Sequence, residues 1–506
     1  MLNFNDIISL QIFFPIAIAV LLLVLGAFCS IFGNTYSKYI ALFSSIFSLI
    51  LAFLMLSHFN LSEKGFQFLS NTKTLSTIGG RAIFSYKLGV DGISLGLIVL
   101  TSILLPFCIL SAWNSYNKPP QFFAMLLMVQ GITIGVFSAL DLVLFYVFFE
   151  ASLIPMFILI GVWGGDQGPK AAFKFFLYTF AGSLLFLISI IYIITKSGVS
   201  DIPILYHFTR EYPFAVQQVL WMGFFIAFAL KLPMLPLHSW LPHAHVQAPT
   251  AGSMLLAGIL LKMGGYGFMR LSVPFFPAAS EYYSDFVIIL SIIAIIYTSM
   301  VALVQSDIKK LIAYSSIAHM GYVTAGIFAL NVQGYQGAIF SMISHGIVSA
   351  ALFFCIGILY DRKKTKEISF YEGIAGVMPK FSFFFVLCSF ASIALPGTSG
   401  FIGEFLVTFS VLKYRFIYGV LIAIGMVLGA TYMLLLCSKI IFGNTNKNCK
   451  DMQDLSYSEL FTLLTMCSLM VILGIFPNAV IMFTNSSVEL LQLLIMNFRM
   501  IYGGAL

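Results

Sequence analysis

Charge is what this chain has least of. Charged residues make up only 9% of its 506 positions, against roughly 25% in soluble globular proteins. A water-facing surface of ordinary size cannot be built from so few, so a soluble enzyme or a nucleic-acid-binding domain is excluded. The net charge of +7 reads as membrane orientation, because no basic face interleaved with aromatics exists to hold nucleic acid. Grouped cysteines are also missing. The seven (29, 108, 355, 388, 437, 449, 467) are scattered without a C-x-x-C, and all but Cys449 lie in or beside apolar runs. A redox cluster needs grouped thiolates, so these read as small core residues. No G-x-G-x-x-G after a strand, no P-loop and no flavin or haem signature occurs, so no nucleotide or electron carrier is expected on this chain.

What the chain does have is apolar length. It is 60% hydrophobic and 16% aromatic, with a mean hydropathy of +1.01. It is best counted in membrane spans of about 20 residues. The N-terminus MLNFNDIISLQ has no basic segment and is expected to stay as part of the first helix. Apolar runs fall at 8–31, 37–59, 93–112, 120–140, 141–163, 170–196, 215–240, 250–272, 282–305, 308–330, 333–360, 379–412, 416–441 and 456–484, about fourteen spans in all. Residues 60–92 form a long polar connection with room for a hairpin. Placing the basic loop DRKKTK (361–366) inside puts both termini outside, with a mild excess of basic residues in the inner loops.

Two of these spans are broken. Lys231 is followed at once by Pro233 and Pro236, and the twelfth span is interrupted by LPGTSG with Glu404 just beyond. Irregular backbone persists at membrane depth only where it is buried in protein or lines a water-filled cavity. The broken helices lie five spans apart, which points to inverted repeats with a site between them. The expected units are 1–115 (spans one to three with the hairpin), 116–272 (spans four to eight), 273–441 (spans nine to thirteen) and 442–506 (the last span and tail).

Four charged residues are expected at mid-depth: Glu150, Lys231, Lys262 and Glu404. A lysine in hydrocarbon costs about 2.5–3.5 kcal/mol on insertion scales, so it survives where it faces protein or water and has a task. Burial and a neighbouring charge move the pKa of an ammonium or carboxyl group toward neutrality by as much as about 3–5. Moving one proton against about 180 mV costs about 4 kcal/mol, which a Glu150–Lys231 pair that forms and separates can match. The four therefore read as a proton relay; the alternative is static pairs that tie helices together. His238, His319, His345 and Lys174 are connector candidates. For the histidines the alternative is a satisfied core or helix-end residue, and for Lys174 a side chain that snorkels to the interface. His238, His243 and His245 in HSWLPHAH lack a cysteine or carboxylate to complete a metal set. Asp307, Lys309 and Lys310 read as loop surface.

The runs FYVFFEASLIPMFILIGVWGG (145–165), KFFLYTFAGSL (174–184), ALKLPMLPLHSWLPHAHVQAPTAGSMLLAGILLKMGGYG (229–267), SDIKKLIAYSSIAHMGYV (306–323) and LPGTSGFIGEF (395–405) resemble the antiporter-like subunits of proton-pumping NADH:quinone oxidoreductase, respiratory complex I. The resemblance covers essentially the whole chain. It is greatest to the M-type branch, the bacterial counterpart of mitochondrial subunit 4, because Glu404 stands where the L and N types usually carry lysine.

The resemblance implies an all-α polytopic fold of fourteen helices with two inverted five-helix repeats and discontinuous helices 7 and 12. It implies a polar axis through Glu150, Lys231, Lys262 and Glu404, with His319 as a connector. It also implies neighbours of the L and N type in the bilayer. NADH, FMN, iron–sulfur clusters and quinone are expected on other subunits, with no cofactor or metal on this chain. The expected location is the bacterial cytoplasmic membrane, with the mitochondrial inner membrane as the alternative. Subunits of sodium/proton antiporters and membrane-bound hydrogenases share the architecture. A structural spacer that passes no protons is the reading from a different class.

Overall fold

Backbone amides have no water partner in hydrocarbon, so apolar runs of this length close their hydrogen bonds internally as helices. The computed structural model describes residues 6–28, 30–70, 73–78, 81–113 and 117–502; Cys29 lies outside them. The remaining six cysteines are free and buried. Among the described residues, 14 helices are long and apolar enough to cross a membrane. The protein is a multi-pass membrane protein, and the expected fold class holds.

Both broken spans are present. The seventh runs as Phe214–Lys231, unwinds through the prolines and resumes as Trp240–Gln247. Trp240 Nε1 caps the interruption by donating to the Leu230 carbonyl at 3.0 Å. The twelfth consists of Pro379–Ser392 and Ser399–Tyr414. The polar connection holds the expected hairpin, β1 (Lys73–Ile78) antiparallel to β2 (Arg81–Tyr86). Asp141 caps the fifth span by accepting from the Val143 and Leu144 amides, and also accepts the Ser85 amide of β2 at 2.9 Å. One carboxylate thus starts a helix and anchors the hairpin.

The last expected span differs. The run 456–484 divides at Pro477 into Tyr457–Ile475 and a separate C-terminal helix, Asn478–Tyr502. We call the face bearing 361–366 the inner face. Among the described residues, the polar contacts that the C-terminal helix makes with other elements go to the opposite face: Ser486 to the Leu61 carbonyl, Glu489 to Lys64, Ser487 to the Gly92 amide and Asn485 to Gln336. It therefore lies against the outer ends of the spans. It is one of the 14 helices that qualify by length, and the broken twelfth span takes its place in the crossing count.

Gly92 makes this docking possible. A Cβ there would fall 1.8 Å from the Phe483 carbonyl oxygen, a backbone atom that cannot turn aside. Gly92→Ala is therefore expected to lift the C-terminal helix, seen as faster protease cleavage within 478–502 in the assembled protein. Unchanged cleavage would mean that the helix is held elsewhere.

The centre of the bundle is formed by Thr250–Phe275 and Val332–Lys363, both wholly buried over their apolar windows. They meet at glycines: a Cβ on Gly346 would lie 2.9 Å from the Gly258 carbonyl oxygen. Small residues let backbones approach this closely where lipid supplies no hydrophobic drive between helices. Because Gly346 follows His345 and Gly258 is one turn from Lys262, this contact also sets the site.

Buried charge is more extensive than the sequence suggests. Lys231, Lys262 and Glu404 are buried and Glu150 is half-buried; besides these, Asp91, Asp141, Arg270 and Lys309 are buried. Lys309 corrects the expectation of a loop-surface cluster, since its ammonium donates to the Ala248 carbonyl at 2.8 Å. The local sequence does not show that the loop after the broken helix folds back over it.

Candidate functional site: a buried polar chain

Lys262 lies between two π-helical stretches, Leu256–Leu260 and Phe268–Ser272. Wider turns expose carbonyls to side chains, and the Lys262 ammonium takes up the Ala257 carbonyl five residues back. Its second partner is His345 Nδ1, at 2.9 Å from the eleventh span. The His345 ring stands 5.5 Å from that of His319, centroid to centroid. His319 Nδ1 in turn meets Glu404 Oε1 at 2.8 Å, just past the break in the twelfth span. Gly403 lets that helix approach, since a Cβ there would lie 2.8 Å from the Ser341 backbone.

A small cavity runs beside these groups, lined by His319, His345, Glu404 and six serines (315, 316, 341, 344, 349, 392). His345 Nε2 and Ser341 Oγ are buried without a protein partner. Such a lining suits bridging water, which needs a few polar partners per molecule. Lys262, His345, His319 and Glu404 thus make one polar line across four spans, including two of the histidines expected as connectors.

The other half of the expected axis is arranged differently. Glu150 and Lys231 act on one another electrostatically, but they do not form a direct ion pair among the described residues. The Lys231 ammonium donates to Ser152 Oγ at 3.0 Å and sits 4.7 Å above the Phe149 ring. Glu150 Oε1 is buried and unpartnered. The separated arrangement follows from the turn at Ser152, which ends the Leu142–Ala151 helix and presents a hydroxyl to the lysine. No hydrogen bond joins Lys231 to Lys262. Their helices touch where a Cβ on Gly264 would lie 2.7 Å from the Phe228 carbonyl oxygen.

Lys174 and His238 gather at the break of the seventh span, away from Lys262. Lys174 donates to the Ser239 carbonyl at 3.1 Å, and His238 faces the rings of Tyr297 and Tyr314. His245, set aside with its HSWLPHAH neighbours as lacking a metal set, also lies inside the bundle. It is fully buried, stacked 4.4 Å from the Phe353 ring, with both ring nitrogens unpartnered. Its place in HSWLPHAH was visible, but its burial was not.

The group that the sequence did not point to is a network above Lys262. Arg270 bonds Asp91 at 2.5 Å and Tyr266 at 3.1 Å, and Tyr266 donates to the Phe137 carbonyl at 2.9 Å. Arg270 stands alone in an apolar run and Asp91 directly precedes a span. Those were the available signals.

The sequence profile described as NADH:quinone oxidoreductase/Mrp antiporter, transmembrane, matches residues 139–429, more than half of the chain and all four groups of the line. The chain belongs to this family. Within it, the chain is 44% identical over 488 residues to NADH-quinone oxidoreductase subunit M of Rhodobacter capsulatus, covering 94% of each. It is 45% identical over 485 residues to the subunit M of Rickettsia prowazekii (96% and 98% covered). It is 43% identical over 497 residues to NADH-ubiquinone oxidoreductase chain 4 of Chondrus crispus (96% and 99%). Respiratory complex I from Thermus thermophilus contains a chain that superposes with a TM-score of 0.86 at 26% identity, covering 97% and 99%. An Mrp complex chain from Dietzia shares the fold, with a TM-score of 0.85 at 18% identity and 97% and 98% covered. The family thus spans bacterial relatives and the chain 4 proteins of eukaryotes, in keeping with an inner-membrane location.

Proposed function

We propose that this chain is a proton-translocating membrane subunit of an NADH:quinone oxidoreductase, driven by quinone chemistry on other subunits, with L- and N-type subunits as neighbours. The observation that carries the proposal is the line Lys262–His345–His319–Glu404. Each member gains or loses a proton without breaking the backbone around it; Lys262 meets His345 and His319 meets Glu404 directly, and the two imidazole rings stand 5.5 Å apart beside the serine-lined cavity. Glu150 and Lys231 act upstream. When Lys231 swings from Ser152 toward Glu150, a positive charge moves away from the central helix, and Lys262 takes up a proton more readily. When it swings back, Lys262 passes its proton to His345, and from there it reaches Glu404.

The five-helix units 116–272 and 273–441 then act as the two halves between which the charge is handed on. The proton is the cation that suits this chemistry, because lysine and histidine side chains can each take one up and release it. No redox group is assigned to this chain; electron transfer belongs to its partners.

The test is proton pumping and NADH:quinone electron transfer in membrane vesicles carrying Glu150→Ala or Lys231→Ala, with assembly checked on native gels. Loss of both activities in an assembled complex is the expected result. Normal pumping in both variants would leave these groups as structural charges and end the proposal.

A further inference from the structure

The inner face holds a basic pocket that the proton line does not use. A cleft of about 300 Å³ is lined by Lys170, Lys174, His243, Lys310, Gln167 and Gln247. Lys174 and Lys310 both lie near enough to act electrostatically on His243. Among the described residues, none of the three lysines is ion-paired with a carboxylate. Asp307 spends its carboxylate on the Lys310 backbone amide, and Asp166 is exposed at the rim. The 30-residue helix Gly168–Ser197 begins at the cleft and adds the positive end of its dipole.

Directly beside this cleft is a second one of quite different character. It is an open, almost wholly apolar groove between the fifth and sixth spans along Phe157, Val162 and Phe173. Val162 is 61% exposed and Phe173 57%, as side chains facing acyl chains would be. Lys170 lines both clefts.

A concentrated positive pocket at the inner surface, continuous with an apolar groove that descends into the bilayer, has the shape and charge of one ligand class. We propose that these two clefts form a binding site for an anionic phospholipid. The headgroup phosphate sits among Lys170, Lys310 and His243, and one acyl chain follows the groove past Val162. Basic pockets on this side of a membrane protein match phosphate headgroups, and each lysine near the surface adds about fivefold in affinity. The apolar groove favours a lipid over a free phosphate, which has nothing to bury there. The site also lies against the break in the seventh span, through the Lys174–Ser239 contact.

The test uses the assembled, delipidated complex in neutral detergent, with phosphatidylglycerol or phosphatidylcholine bearing the same photoreactive acyl chain, and peptide mapping by mass spectrometry. The expected result is labelling within 157–173, about fivefold or more stronger for phosphatidylglycerol. Lys170→Gln with Lys310→Gln should bring it down to the phosphatidylcholine level. Val162→Trp, which fills the groove, should lower labelling by both lipids. Equal labelling by the two lipids overturns the proposal, as does indifference to the lysine changes. Absence of labelling in 157–173 overturns it too, because another subunit then covers the groove. Displacement by millimolar inorganic phosphate, with Val162→Trp without effect, identifies a free-anion site instead. Should the lysine variant not assemble, the comparison of the two lipids on the unaltered complex decides alone.

Discussion

Lys262→Met is expected to lower proton pumping and coupled electron transfer by at least about tenfold while the complex still assembles. Methionine keeps much of the lysine stem, so packing around the wholly buried side chain is disturbed little. What disappears is the ammonium between the Ala257 carbonyl and His345 Nδ1, and with it, in the proposed relay, the step that joins the first half of the chain to the histidines. Lys262→Arg sharpens the result. A guanidinium holds its proton at every accessible pH, so it can supply a positive charge but cannot hand a proton on. If Lys262 moves protons, the arginine variant is as inactive as the methionine one. If it serves only as a fixed charge, arginine restores pumping. Dye-reported acidification in vesicles, normalised to complex on native gels, separates the two.

The second large effect concerns assembly. Asp91→Ala leaves the Arg270 guanidinium buried at 6% side-chain exposure without its carboxylate. Removing one partner of a buried ion pair typically costs about 3–5 kcal/mol, a large share of what holds any fold together. The amount of assembled complex should fall steeply. Asp91→Ala combined with Arg270→Met removes the stranded charge and should recover much of the loss, since an apolar replacement of a buried pair is often nearly neutral. Recovery on native gels would assign the network to stability. Good assembly of the double variant with lost pumping would place Tyr266 and Arg270 on the proton route above Lys262.

These two experiments fall on parts of the molecule that differed in how far the sequence exposed them. Lys262 stood out because ammonium groups are rare in apolar runs, and the break after Lys231 stood out because proline removes backbone donors. His319 and His345 were visible as candidates, yet nothing local told a relay histidine from a core one. Asp91 and Arg270 escaped because each, taken alone, resembles a span-end residue. The C-terminal helix escaped because hydropathy does not distinguish a helix that crosses a bilayer from one that lies across its face.

The sequence by itself determined the polytopic helical class, the two broken spans and the hairpin. Each of these is a local property, a sum over neighbouring residues or the direct consequence of a proline. Only the tertiary structure decided which groups touch. Lys262 and His345 are 83 residues apart, His319 and Glu404 85, and Arg270 and Asp91 179. Their meeting depends on how closely helices approach at Gly258, Gly346 and Gly403. It likewise set Lys231 on Ser152 rather than on Glu150, because one turn of backbone placed a hydroxyl within reach of the ammonium.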